Sequence, residues 1–179
     1  TPSNRLTAYR AELGIGAGPL VLYAGNVGFS QSLDLLLHAA REMPEVAFLI
    51  NGDGAARTSL TAAAAGLTNV HFAGYIEADR LSELLATGDI HVVPLKTGLG
   101  RVSVPSKTYS ILAAARPVVA AIDPGTAVPV ILATAGAGLS VPPDDPSAFA
   151  DALRELLADP ERCAEMGRSG RTWVEANAS

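Results

Sequence analysis

The hydrophobic positions of the chain fall into short apolar runs that alternate with segments of helical spacing. The runs are aliphatic or β-branched, and Gly, Pro or Asp bounds each of them. Runs of this kind indicate buried strands, because periodicity and length together separate them from helices. The predicted strands are residues 20–24, 46–50, 69–72, 89–94, 117–122 and 138–141.

The intervening segments place apolar side chains three or four positions apart, which indicates helices packed by one face. The residues that set this spacing are Leu33, Leu36, Leu37 and Ala40; Leu81, Leu84 and Leu85; Ile111, Leu112 and Ala115; and Phe149, Leu153, Leu156 and Leu157. A short leading helix is predicted over 4–13 and a trailing helix over 159–177.

Repeated strand–helix units of this length predict a parallel sheet covered by helices on both faces, a doubly wound, Rossmann-like α/β fold. The sequence is interpreted as one domain over 1–179, with a leading segment at 1–18, a core at 20–158 and a trailing helix at 159–179. Ligands of such folds bind in the loops at the carboxyl ends of the strands. Candidate chemistry is therefore expected in those loops.

Composition narrows the class of ligand. The chain has 179 residues, is 49% hydrophobic and carries a net charge of −5, which argues against a broad nucleic-acid surface and favours a small molecule. No apolar run approaches the roughly 20 residues of a membrane-spanning helix, so a soluble domain is expected. The start lacks Met and a signal pattern, which suggests a fragment that begins inside a longer protein. The single cysteine, Cys163, is expected to be a small packing or surface residue.

Two glycine-rich turns follow early strands. In the first, Gly25 and Gly28 are three positions apart, and a helix predicted to begin near Ser30 would offer free N–H groups to an anion. In the second, Asp53 lies between Gly52 and Gly54 and is interpreted as an N-cap of the next helix, with contact to a ligand hydroxyl as the alternative. Neither turn contains a dinucleotide fingerprint or a phosphate loop.

A third segment, residues 104–109, follows a polar loop and begins a helix. Pro105 fits the first helical turn, which places Ser106 and Lys107 at the positive end of the helix dipole. A lysine is electrostatically disfavoured there by a few tenths of a kcal/mol, roughly. We therefore infer an anionic ligand at this helix start, with a solvated lysine as the alternative.

Five segments in this order resemble the C-terminal domain of retaining GT-B glycosyltransferases of family 4 (group 1), and within it the branch that builds bacterial surface polysaccharides. They are residues 23–28 (YAGNVG) with Gln31, 51–54 (NGDG), 70–75 (VHFAGY), 104–109 (VPSKTY) and 115–119 (ARPVV). The resemblance extends from about residue 20 to residue 169. The resemblance implies a hexosyltransferase that takes a sugar from a UDP- or GDP-linked donor and transfers this sugar with retention of its anomeric configuration.

The resemblance also assigns binding residues by position. The diphosphate side comprises Gly25, Asn26, Val27, Gly28, Gln31, Arg101, Ser106, Lys107 and Thr108, and the nucleoside side comprises Gly52, Asp53, Gly54, Tyr75, Ile76 and Ser110. Gln31 occupies a position where many relatives carry a phosphate-binding lysine, so Lys107 is expected to bear more of the diphosphate charge. Lys96, like Arg101, lies in the preceding loop and is a candidate contact or a solvated residue.

The chain departs from the family pattern at two carboxylates. Many relatives have two glutamates that align with Val102 and Ser110, and an alternative glutamate would follow Gly125 and Thr126 where this chain has Ala127. Base and ribose specificity therefore stay undetermined, as do the catalytic residues. His38, His71 and His91 are interpreted as packing or surface residues, and no cluster has metal-ligand spacing.

The resemblance implies that backbone dipoles and basic side chains, without a bound metal or other cofactor, stabilise the departing nucleoside diphosphate. The glycan or lipid-linked acceptor would bind an N-terminal domain absent from this chain, so the fragment is expected to bind nucleotide without transferring sugar. The full-length enzyme would be cytoplasmic, at the inner face of the membrane. The alternatives are a non-catalytic nucleotide-binding module and half of a GT-B nucleotide-sugar epimerase; a dinucleotide oxidoreductase lacks its fingerprint here.

Overall fold

A computed structural model of the chain describes residues 4–102 and 106–178. Within these ranges the strands form one parallel sheet in the order β3-β2-β1-β4-β5-β6. The strands are β1 (Leu20–Ala24), β2 (Ala47–Asn51), β3 (Val70–Ala73), β4 (Ile90–Pro94), β5 (Val118–Ala121) and β6 (Gly138–Val141). All six predicted strands are confirmed, and their bounds differ from the predicted ones by at most one residue.

Helices cover both faces of the sheet. They are α1 (Ala8–Glu12), α2 (Asp34–Glu42), α3 (Arg57–Ala63), α4 (Leu81–Thr87), α5 (Ser106–Ala113), α6 (Ala127–Ala135), α7 (Pro146–Leu157) and α8 (Pro160–Asn177). Helices α2, α3 and α7 pack on one face, and α1, α4, α5 and α6 pack on the other. Helix α8 contacts the apolar clusters of both faces, the first through Cys163 and Met166 and the second through Trp173 and Val174. Of the helices in the described part of the chain, none combines the length and apolarity needed to span a bilayer.

The alternating side chains of a strand explain how this arrangement buries continuous apolar runs. In β1, Val21 packs on the α2/α7 side, whereas Leu20 and Leu22 pack on the α1/α4 side. Both faces of a central parallel strand are covered, so polar positions do not interrupt the run. The doubly wound α/β fold predicted from the sequence is therefore confirmed.

Helix ends depart from the sequence prediction in three places. The helix after the first glycine turn begins at Asp34, not near Ser30. The residues between them form turns, because the Ser30 carbonyl accepts the Lys96 N–H at 3.1 Å and the Ser32 hydroxyl binds Asp144. Ala115 lies beyond the end of α5 with a φ of +58°, so it is not part of the helix. The leading helix is also shorter than predicted, since α1 covers only Ala8–Glu12.

Candidate functional site

A cavity of about 700 Å³ opens at the carboxyl edge of the sheet. It lies between the ends of β1 and β4, where the strand order reverses, and this is the point at which doubly wound folds bind ligands. Its walls are mainly apolar. The described residues that line it are Tyr23, Ala24, Gly25, Ser30, Gln31, Asn51, Tyr75, Ile76, Leu81, Leu84, Leu85, His91, Val92, Val93, Pro94, Leu95, Leu99, Ser106, Lys107, Thr108, Ser110 and Ile111.

Lys107 brings a positive charge to the mouth of this cavity. Its Nζ donates a hydrogen bond to the carbonyl of Ala24 at 3.2 Å and lies directly over Gly25. A Cβ at position 25 would collide with that ammonium, and Gly25 has a φ of +155° that disfavours any other residue. Partial burial lowers the pKa of Lys107. Among the described lining residues, Lys107 carries the only side chain that is charged at neutral pH.

The first glycine turn presents fewer free N–H groups than the sequence suggested. The N–H of Gly25 donates to the Asn51 carbonyl at 3.0 Å, and that of Val27 donates to the Asp53 carbonyl at 3.0 Å. The Val27 side chain is fully buried in the core. The N–H of Gly28 donates to Oε1 of Gln31 at 3.1 Å, so an anion at this amide would replace the Gln31 contact.

The second glycine turn supports the first rather than lining the cavity. The interpretation of Asp53 as an N-cap is wrong, because α3 begins at Arg57 and its N-cap residue is Ala56. A Cβ at Gly52 would collide with the Gly25 carbonyl, and one at Gly54 would collide with that of Val27. These glycines therefore allow two turns to pack closely, and they need no ligand to explain them.

Asn51 organises the side of the cavity that was predicted to hold a nucleoside, although the sequence interpretation did not assign Asn51 itself to the site. Its carboxamide is buried, accepts a hydrogen bond from the Tyr9 hydroxyl and donates to the Gly74 carbonyl at 3.1 Å. Tyr75 and Ile76 follow that turn and line the cavity. The Tyr75 hydroxyl donates to the Asp53 carbonyl at 2.9 Å, which links this turn to the second glycine turn.

Helix α5 contributes Ser106, Lys107, Thr108 and Ser110 to the cavity wall. The Ser110 hydroxyl donates to the Ser106 carbonyl at 3.2 Å. Pro105, on which the predicted helix start was based, lies outside the described residues, as do Ser103 and Val104. The described range resumes at Ser106, already in helical conformation.

Arg101 and Lys96 do not line the cavity. Their charges instead lie near two carboxylates beyond the ends of β5 and β6, Asp123 and Asp144. Hydrogen bonds from backbone N–H groups are the largest cause that lowers the pKa of each carboxylate, and the charges of Arg101 and Lys96 lower the pKa of Asp123 and Asp144 further. Asn26 and Val27 also stand outside the cavity lining, as do Gly28, Gly52, Asp53 and Gly54.

His91 lines the cavity as a neutral imidazole. Burial lowers its pKa to about 4, and its Nε2 lies 2.9 Å from the Leu85 carbonyl, in agreement with a packing role. Burial likewise raises the pKa of the Cys163 thiol to about 11, and its Sγ lies 3.1 Å from the Leu156 carbonyl. Within the described ranges, no three His, Cys, Asp or Glu side chains are grouped to hold a metal ion.

Comparison with known proteins identifies relatives of this chain. A family model described as "Glycosyl transferases group 1" matches residues 18–159. The chain is 31% identical over 161 residues to the sulfoquinovosyl transferase SQD2 of Arabidopsis thaliana, covering 88% of this chain and 30% of that protein. It is also 31% identical over 193 residues to a GDP-mannose-dependent monoacylated alpha-(1-6)-phosphatidylinositol monomannoside mannosyltransferase of Corynebacterium glutamicum, covering 100% of this chain and 48% of that protein.

Solved structures of glycosyltransferases and a sucrose-phosphate synthase are similar to this chain in fold. The sucrose-phosphate synthase of Thermosynechococcus elongatus aligns with a TM-score of 0.76 at 26% identity, covering 93% of this chain and 43% of that one. HepE of Anabaena, solved in complex with UDP and glucose, aligns with a TM-score of 0.80 at 19% identity, covering 98% of this chain and 48% of HepE. The chain therefore spans less than half the length of these relatives.

Proposed function

The chain belongs to the group 1 family of glycosyl transferases, and from that premise we propose that it is the donor-binding domain of an enzyme that uses a nucleoside diphosphate sugar. The sugar is transferred to a glycan or lipid-linked acceptor with retention of anomeric configuration. The acceptor binds to an N-terminal domain of the same protein. The observation that supports the donor site best is the Lys107 ammonium held over Gly25 at the mouth of an apolar cavity.

The chemistry of this cavity suits a nucleoside diphosphate. The apolar floor offers a surface for a flat base, and Lys107 offers a cation to the diphosphate. When the bond between the sugar C1 and the diphosphate oxygen breaks, negative charge increases on that oxygen and on its phosphate. A cation already held at this position stabilises the departing group without reorganisation, an effect worth roughly 3 kcal/mol per well-placed donor.

Names of relatives support two candidate donors. The mannosyltransferase of Corynebacterium glutamicum is named for GDP-mannose, and HepE was solved with UDP and glucose.

The mannosyltransferase is also named for a phosphatidylinositol acceptor. We therefore propose that the full-length protein works in the cytoplasm at the inner face of the membrane. Its absence from inner-membrane vesicles after co-sedimentation would count against that location.

Calorimetric titration of the chain tests the donor site directly. UDP, UDP-glucose, GDP and GDP-mannose are compared with uridine and guanosine, and the same titrations are made on Lys107→Met. Loss of a charged hydrogen bond of about 1.5–3 kcal/mol corresponds to a diphosphate affinity lower by about 10- to 100-fold, with little change for the nucleosides. Lys96→Met is the matched control, because Lys96 lies outside the cavity. Equal losses for nucleosides and diphosphates would locate the phosphates elsewhere.

A non-catalytic nucleotide-binding module is the second candidate, and Ser110 favours it. This hydroxyl faces the cavity where many family members carry a glutamate, and it can hydrogen-bond a ribose but cannot offer a charged bidentate acceptor. A transfer assay on the full-length protein distinguishes the two candidates. Sugar transfer supports the enzyme, whereas nucleotide binding without transfer supports the module. The isolated chain is expected to bind nucleotide and to transfer no sugar.

A further inference from the structure

Asp144 connects two loops that come from distant parts of the chain. Its Oδ1 accepts a hydrogen bond from the Ser32 hydroxyl at 2.7 Å, and its Oδ2 accepts from the backbone N–H and the hydroxyl of Thr97 at 3.0 and 2.8 Å. Ser32 is buried and lies 112 positions away, and Thr97 is 47 positions away. One carboxylate therefore joins the loop after β1 to the loop after β4.

The backbone at Asp144 is unusual for this role. Its φ is +56°, in the left-handed region that non-glycine residues seldom occupy, although Asp and Asn tolerate it better than most. The conformation directs a charged side chain at the two loops from just beyond the end of β6. Unfavourable backbone conformations persist where the surrounding structure fixes them, and they occur often at functional sites.

Both loops contribute to the wall of the donor cavity. The first brings Ser30 and Gln31 to the cavity, and the second brings Leu95 and Leu99. The loops also contact each other directly, since the Lys96 N–H donates to the Ser30 carbonyl at 3.1 Å. The position of one loop relative to the other therefore sets the width of the cavity on its phosphate side.

The charge of Asp144 suits this bridging role. Hydrogen bonds from the Thr97 N–H, the Ser32 hydroxyl and the Thr97 hydroxyl lower its pKa, so it is ionised and acts only as an acceptor. Asp123 performs a parallel task on the far side of the second loop, where it accepts the N–H of Gly98 at 3.1 Å and that of Gly100 at 2.8 Å. Asp123 contacts one loop, whereas Asp144 contacts both.

We propose that Asp144 is a positioning residue for the donor site: its carboxylate fixes the loop of Ser30 and Gln31 against the loop of Leu95 and Leu99. In this way it sets the phosphate side of the cavity without touching the ligand. This inference rests on the proposed function, because it assigns a consequence to the same cavity.

Asp144→Gly is the sharpest perturbation, because it removes the links to both loops and also relieves the backbone conformation. Asp144→Asn is the conservative partner, since asparagine keeps the shape of the side chain and tolerates a positive φ at least as well. Its amide oxygen can accept from Thr97 while its NH₂ group donates to the Ser32 hydroxyl oxygen, so both loops stay linked through neutral hydrogen bonds. The control is Asp151→Asn, on α7, where an exposed carboxylate pairs only with Arg154 in the described part of the chain.

The readout is calorimetric affinity below the unfolding transition for UDP, UDP-glucose, GDP and GDP-mannose, with uridine and guanosine as nucleoside references. Diphosphate affinity is expected to fall by about 10-fold in Asp144→Gly, which loses the links to both loops, and by less than about 3-fold in Asp144→Asn, which keeps them. The affinity of the Asp144 variants for nucleosides should be unchanged, and Asp151→Asn should bind every ligand as the unmodified chain does. In Asp144→Gly, amide hydrogen exchange should accelerate at Thr97 more than at Gly98 and Gly100, whose N–H groups still donate to Asp123.

The possible outcomes separate this inference from the proposed function. If the unmodified chain binds diphosphates and Asp144→Gly binds them equally well, Asp144 does not position the site. Parallel losses for nucleosides and diphosphates would also overturn the proposal, because they indicate a general loss of structure. If the unmodified chain binds none of these diphosphates, the proposed function fails first, and this inference fails with it.

Discussion

The hydrogen bond between Tyr9 and Asn51 joins the leading helix to the floor of the cavity. Tyr9→Phe removes a single oxygen atom and leaves the ring, including its contact with the Arg80 guanidinium 5.3 Å from the ring centre. Asn51 is only 2% exposed, so its Oδ1 would stay buried without a donor. An unsatisfied buried acceptor costs about 1–3 kcal/mol. For a domain of this length, a loss of about 2 kcal/mol lowers Tm by about 4–8 °C.

Urea and thermal unfolding of four proteins test this reasoning: the unmodified chain, Tyr9→Phe, Asn51→Ala and the double variant. Once Asn51 is alanine, the Tyr9 hydroxyl no longer has this acceptor, so adding Tyr9→Phe should change the free energy of unfolding by less than about 0.5 kcal/mol. If Tyr9→Phe is equally destabilising in both backgrounds, the hydrogen bond to Asn51 is not its cause. Asn51→Ala should also weaken nucleoside binding, because it releases the Gly74 turn.

Two further predictions follow from packing and from titration. Gly167→Ala should destabilise the chain by about 1–3 kcal/mol, because its Cβ would lie 2.8 Å from the carbonyl carbon of Ala115. Gly16→Ala is the control, since a Cβ there meets open space and should leave the free energy of unfolding nearly unchanged. Similar unfolding curves for the two variants would contradict this prediction. Burial lowers the pKa of His91 from 6.5 to about 4. Between these two pH values the imidazole is therefore protonated in the unfolded chain and neutral in the folded chain. The free energy of unfolding should therefore fall by about 3 kcal/mol as pH decreases from 6.5 towards 4, and His71 should add a smaller loss in the same direction. In unfolding curves measured at several pH values, His91→Gln should flatten this dependence. An unchanged pH profile in His91→Gln would show that this imidazole does not set the slope.

Local sequence determined the elements and the edge of the sheet where chemistry occurs. Strands β1 and β6 have the predicted bounds, although β1 is central and buried whereas β6 is a partly exposed edge strand. In each, turn residues bound a short apolar run. The amphipathic helix α7 was also predicted, from the spacing of its apolar residues, and the structure shows Asp145 as its N-cap and Pro146 as its first residue. The two glycine turns follow β1 and β2 as predicted, and Lys107 lies on α5, the helix that was predicted there.

Local sequence misjudged the elements that distant contacts control. The helix after the first glycine turn begins four residues later than predicted, because Ser30 and Ser32 are bonded to residues far along the chain. Asp53 was interpreted as a helix cap, but the backbone around it instead pairs with Val27 in the first turn. In both cases a tertiary hydrogen bond replaced the local one that the sequence pattern favoured.

The α/β architecture could therefore be predicted from the amino-acid sequence, since periodicity and turn residues act over a few positions. The strand order, the contact of Lys107 with Ala24 across 83 positions, and the hydrogen bonds of Asn51 and Asp144 became known from the folded chain. A hydrogen bond needs two groups within about 3 Å in a suitable direction. For partners so far apart in the chain, the folded sheet and its crossovers bring the groups together, and no local pattern records that they meet.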